Sequence, residues 1–293
     1  FSGGSPYNCA RVAACLGVPT LFAGRFSSDS FGKKLLADLT STGAKPLISE
    51  LVNNPTSLAV VHIGDRNAPQ YAFYRENTAD RYISVPTIIK AMPEKPFLFH
   101  MGSLAFSDQP DSIHWLAVLD EVKTRGALIS VDPNCRPLFI PDRESYLDCF
   151  ELLLKKVDLL KLSDDDLVYL YPGVDIDDAL EGLVDRFSIP LAILTKGKDG
   201  MSGHTCNGVK VTVDAFLPDL ISDTIGAGDT VQGALIQTIF ESNLTRLGLE
   251  LLDHKLLREM CLYASIAAGI NCTRPGCQPP TKSEILNLRQ NII

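Results

Sequence analysis

The chain has 293 residues, 45% hydrophobic and 21% charged, with a formal net charge of −8. A chain of this length buries roughly 75% of its unfolded surface, enough for one large domain without disulfides or a structural metal. The composition excludes a disordered chain, no apolar run approaches the ~18 residues of a transmembrane helix, and the acidity argues against a nucleic-acid partner. Eight cysteines without a C-x-x-C pair predict reduced, mostly buried thiols in a cytoplasmic protein. The sequence opens on Phe1 and Ser2-Gly3-Gly4, as if within a turn, so a natural segment is expected before it; no signal peptide is legible.

In chain order, the first clear elements are strand-like runs at 56–63 and 70–74, joined by 64–69, which predict a β-hairpin with a longer, mobile loop. Phe97-Leu-Phe-His100 predicts a strand, and Trp115, Val118, Leu119 and Val122 then recur at helical spacing. Strands are also predicted at 127–131, 159–162 and 191–194, with Leu147, Phe150, Leu154 and Val157 marking a helix between the first two. These short runs do not alternate in polarity, which implies a parallel sheet covered on both faces. Beyond about residue 215 the pattern is mainly helical.

In an open α/β sheet, ligands bind beyond the carboxyl ends of the strands. Those ends carry Gly102-Ser103, Asp132-Pro-Asn134, Ser163-Asp164-Asp165-Asp166 and Thr195-Lys-Gly197. Each alone reads as a cap or a turn; four in succession read as a site.

The strongest motif is Asp223-Thr-Ile-Gly-Ala-Gly-Asp229-Thr, followed by Val231, Ala234, Leu235, Thr238 and Ile239 at helical spacing. Its glycines permit a tight turn, and the amides of a helix N-terminus suit a phosphate. Asp229 reads either as a helix cap or as a base that accepts a proton from an attacking hydroxyl. A dinucleotide fingerprint would need glycine at 231, which is valine, and no Walker-type G-x-x-x-x-G-K-[ST] occurs.

This motif resembles the second signature of the ribokinase-like (PfkB-type) carbohydrate kinases. The first signature is matched by Gly3-Gly4-x-x-x-Asn8-x-Ala10, Leu16-Gly17, Gly24 and Asp29-x-Phe31-Gly32, and Cys272-Thr-Arg-Pro-Gly276 resembles the closing segment. The resemblance implies one domain over 1–293, a three-layer α/β/α sandwich with a mostly parallel sheet and a small β lid from about 1–4 and 56–74. It also implies an ATP-dependent sugar kinase with Asp229 as base and Gly226, Ala227 and Gly228 as anion hole. Gly4 and Asn8 would hold sugar hydroxyls; Ser163, Thr195, Gly197, Gly200 and Ser265 would contact ATP. Asp166 stands where many members have glutamate, so it would meet Mg2+ through water. Asp223, Ile225 and Gly276 mark a site for K+. A homodimer through the lid, and a sugar-binding aspartate on a strand before Phe1, complete the expectation.

Two further segments resemble fructokinases and 2-keto-3-deoxygluconate kinases: 73–80, with Arg75, and Val131-Asp-Pro-Asn134-Cys-Arg136. Either arginine suits a substrate carboxylate or the transferring phosphate. Fructose is the expected acceptor and 2-keto-3-deoxygluconate the alternative. In other classes, an inactive binding relative would have lost Asp229 or its glycines, and a dehydrogenase would need the missing third glycine.

Overall fold

The computed structural model describes residues 1–63 and 69–292, so the expected mobile loop 64–69 lies, except for Pro69, outside the described residues. Gly4 takes φ 122°, a conformation that side chains disfavour, and its carbonyl accepts the N–H of Asn8 to start α1 (Ser5–Cys15). Residues 1–4 form no strand; Ser2 instead donates its hydroxyl to Asp38 on α2 (Ser30–Thr40). They therefore do not extend the lid sheet, which corrects that expectation. Short strands β1 (Leu21–Phe22) and β2 (Lys45–Pro46) pair in parallel beside α1 and α2.

The hairpin forms as β3 (Leu58–Ile63) and β4 (Pro69–Tyr74), antiparallel in the register Leu58↔Tyr74 to Ile63↔Pro69. Both of its roots are tied to the body. Asp29 caps α2 through the N–H of Gly32 and also accepts from the N–H and hydroxyl of Thr56. At the other root, Arg75 pairs with Asp80 and with the buried Asp111. The Phe73 ring packs on Phe139 at a centroid distance of 4.2 Å.

After α3 (Val85–Ala91), strands and helices alternate: β5 (Leu98–Gly102), α4 (Asp111–Thr124), β6 (Leu128–Asp132), α5 (Arg143–Leu154), β7 (Leu159–Ser163), α6 (Asp164–Leu170), α7 (Ile176–Phe187) and β8 (Leu191–Thr195). These four strands are parallel, and β9 (Met201–Thr205) and β10 (Lys210–Val213) extend the sheet antiparallel, in the order β10-β9-β8-β7-β6-β5. The antiparallel pair had no clear sequence signal, because β9 is the polar run Met-Ser-Gly-His-Thr although it is buried throughout.

Successive residues of a strand face opposite layers. Ile129, Val131, Leu160, Leu162, Ala192 and Leu194 meet one layer, which contains α4, α5 and α7. Leu128, Leu159, Leu191 and Ile193 meet the other, built from α1, α8 (Ala227–Glu241), α10 (His254–Cys272) and α11 (Lys282–Ile292). A short helix α9 (Arg246–Glu250) links α8 to α10. Each face buries an apolar layer, and together they make the expected three-layer sandwich. No described helix is long and apolar enough to cross a membrane.

Two glycines set the approach of α8. A Cβ at Gly233 would come within 2.6 Å of the Val12 side chain, so α1 and α8 pack closely only because it has none. Gly226, at φ 77°, turns the chain into α8, and a Cβ there would lie 2.5 Å from Cβ of Cys277.

Candidate active site

The close α1–α8 contact at Val12 and Gly233 has a polar counterpart one turn earlier on each helix. Asn8 precedes Val12 by four residues and Asp229 precedes Gly233 by four, so both pairs share a face. There the Asn8 Nδ2 donates to Asp229 Oδ2 at 2.8 Å, with the two residues 3% and 7% exposed. The Asn8 Oδ1 is buried without a partner. Asp229 is the third residue of α8, and the cap position belongs to Gly226, with no side-chain cap bond. The reading of Asp229 as a helix cap is thus removed: its carboxylate faces Asn8, not the helix amides.

The first amides of a helix have no partner within it. Among the expected anion-hole amides, Ala227 donates to the Thr224 carbonyl at 3.2 Å and closes the preceding turn. This leaves Gly226 and Gly228 as the two expected amides not committed to that turn. Asp223 fastens the turn to the C-terminal loop, accepting from the N–H of Ile225 at 2.8 Å and of Gly276 at 2.7 Å. The three residues expected around a monovalent cation are therefore adjacent. The Ile225 carbonyl already accepts from Asn271 Nδ2 at 2.8 Å.

The strand ends meet in register, Gly102 beside Asp132 and Ser163 beside Thr195. A Cβ at Gly102 would lie 2.0 Å from the Asp132 carbonyl, so glycine alone allows that strand end. Inside the edge, Lys161 on β7 pairs with Asp132 at 3.0 Å, both buried. Burial pushes the Asp132 carboxyl up to about 6; Lys161 opposes the rise, and Asp166 and Asp229 add to it. Deeper on the same face, Ser130 Oγ bridges His100 Nδ1 at 3.0 Å and Gln232 Nε2 at 2.6 Å. Burial, helped by the nearby Lys161 charge, lowers His100 to about 3, so it is neutral at physiological pH and adds no cation to the site.

Several expected contacts are directed elsewhere. Asp166 accepts from Ser163 N–H and hydroxyl through Oδ2 and from Cys135 N–H through Oδ1. Ser163 and Asp166 form a capping box at the start of α6. With both oxygens so engaged, Asp166 is committed to the start of α6 and to the Cys135 amide, which does not fit direct binding of Mg2+. Ser265 is buried, accepting from Phe216 N–H and donating to the Asp214 carbonyl, which pins the chain ahead of α8 and corrects its assignment to ATP. Arg75 is spent on Asp80 and Asp111, and the exposed Arg136 donates to the carbonyls of Asn134 and Cys135. Thr195 donates to the Leu162 carbonyl at the edge of the sheet. Gly197 and Gly200 make the turn after β8 at positive φ, and a Cβ at Gly200 would strike the Val213 carbonyl at 2.2 Å. Sequence reasoning missed Lys161; its signal was a lone charge within the apolar run Leu159-Leu-Lys-Leu162.

The description of the pfkB family carbohydrate kinases matches residues 1–284. A fructokinase of Rhizobium leguminosarum bv. trifolii is 32% identical over 260 residues, 88% of this chain and 78% of that protein. Probable fructokinase-4 of Arabidopsis thaliana is 29% identical over 292 residues, 98% of this chain and 86% of its own. Among solved structures, a fructokinase with bound ATP from Xylella fastidiosa superposes with a TM-score of 0.89 at 25% identity, covering 99% of this chain and 91% of that one.

Proposed function

The chain belongs to the pfkB family of carbohydrate kinases, and from that premise we propose that it transfers the γ-phosphate of ATP to the C6 hydroxyl of fructose. The observation that carries this reading is the buried Asp229 carboxylate, held by Asn8 in the first turn of the glycine-led helix α8. A sugar hydroxyl is a poor nucleophile, and its proton must leave as the bond to phosphorus forms. Asn8 engages Asp229 Oδ2, and among the described residues no hydrogen bond to Oδ1 competes for that proton. The unpartnered Asn8 Oδ1 accepts a sugar hydroxyl and orients it toward the base. The amides of Gly226 and Gly228, with the positive end of the helix dipole, stabilise charge on the transferring group. Magnesium, bound with the nucleotide, would neutralise phosphate charge.

Fructose is favoured over 2-keto-3-deoxygluconate on electrostatic grounds. A sugar acid needs a cation for its carboxylate, yet Arg75 is already paired with two carboxylates and Arg136 folds onto its own backbone. The fructokinase relatives support the same choice. The proposal extends to a β lid formed by 56–63 and 69–74, to K+ near Asp223 and Gly276, and to a homodimer through the lid. For the dimer, the support is the outward face of the hairpin, where Leu58, Val60 and Tyr74 are 39%, 47% and 64% exposed.

Asp229→Asn tests the mechanism. It keeps volume and an oxygen for Asn8 but removes the proton acceptor, so kcat should fall by about 10²–10⁴ while ATP affinity is kept or rises. A folded variant with kcat within about threefold of the parent would lie well below that range and remove Asp229 as base.

A further inference from the structure

Lys161 is a buried cation whose position the fold alone does not explain. It sits in β7 between Leu160 and Leu162, with its side chain 4% exposed. Its Nζ would lie 3.0 Å from a Cβ at Gly228, which places the ammonium directly beneath the first turn of α8. That end of a helix carries the positive pole of its dipole, so a cation there is repelled by the helix and is retained only for the sake of anions. One anion is Asp132, 3.0 Å away, whose second oxygen is buried without a partner. Burial alone would lower Lys161, but the carboxylates of Asp132, Asp166 and Asp229 outweigh it and keep the ammonium charged. One ammonium, paired with Asp132, thus feels the charge of two further carboxylates, and a phosphate arriving at the Gly226 and Gly228 amides brings further negative charge.

We propose that Lys161 is a positioning residue for phosphoryl transfer: its ammonium, pinned by Asp132 under α8, offsets the repulsion between the Asp229 side chain and the incoming phosphate. This rests on the kinase reading above. Glycine at 228 fits this placement, since a Cβ there would crowd the ammonium at 3.0 Å.

Two substitutions in the one ion pair separate this from a merely structural pair. ATP affinity is measured by calorimetry without sugar, with thermal unfolding as the control for folding. Lys161→Met removes the cation, and the ATP dissociation constant should rise roughly tenfold to a hundredfold, the range for one unit charge several ångströms away at an effective dielectric near 20. Asp132→Asn removes an anion and keeps the cation, so ATP should bind as tightly as in the parent or more tightly. The double substitution Lys161→Met with Asp132→Asn leaves no unpaired buried charge and serves if the single lysine variant does not fold; it should bind ATP more weakly than Asp132→Asn alone. If Lys161→Met and Asp132→Asn shift ATP affinity in the same direction, or the double binds as tightly as Asp132→Asn, the proposal is overturned. Failure of the kinase reading is distinguishable, because the parent itself would then bind no ATP.

Discussion

Gly226 has a backbone angle that a side chain resists and a neighbour that a side chain would strike. At φ 77°, with a Cβ position 2.5 Å from Cys277 Cβ, Gly226→Ala must distort either the start of α8 or the loop at 277. The left-handed conformation alone costs about 1–2 kcal/mol, and moving Cys277 adds to that. The variant should therefore unfold at a temperature several degrees lower and lose turnover; an unchanged melting curve would contradict this account of the turn. Individual residues were unevenly legible in the sequence. Asp229, Asn8 and the glycines lie in contiguous motifs, where local spacing already implies a helix entrance. Arg75 and Arg136 were misread because an arginine's target is chosen by tertiary neighbours, here Asp80 and Asp111 for one and its own backbone for the other.

The hairpin β3–β4 is the proposed lid, and its two roots behave differently. The Arg75–Asp111 root is an ion pair with a buried carboxylate, whereas the Asp29–Thr56 root is a set of hydrogen bonds to a carboxylate. Partial burial would raise Asp29, but the N–H groups of Gly32 and Thr56 and the nearby hydroxyls prevail and bring it to about 2. An unfolded aspartate binds its proton more readily than this one. The stability Asp29 contributes is accordingly present above about pH 4 and is lost as pH falls through about 2. Acid-unfolding curves between these values should be flatter for Asp29→Asn than for the parent; superimposable curves would contradict the role of this root. A kinase must also exclude water from the phosphate during transfer. Saturating sugar should therefore slow hydrogen exchange across 56–63 and 69–74, and equal exchange with and without sugar would contradict closure.

At the scale of the whole molecule, the parallel sheet was legible because β5 to β8 are apolar runs with polar or small residues at their carboxyl ends. The same logic could not find β1 and β2, which are two residues each, or β9, whose burial owes nothing to apolar composition. The site was legible as a set of motifs but not as a charge distribution. The Lys161–Asp132 pair joins residues 29 apart in sequence and exists only once β6 and β7 lie side by side. What the assembled sheet and helix α8 make together is a carbohydrate kinase, and the proposal is that its acceptor is a neutral sugar. Coupled ADP release with ATP, Mg2+ and a panel of hexoses and sugar acids tests that claim most directly. The account predicts the highest kcat/KM with fructose and a product phosphorylated at C6; efficient turnover of 2-keto-3-deoxygluconate with fructose ignored, or no sugar-dependent ADP release from the folded protein, would contradict it.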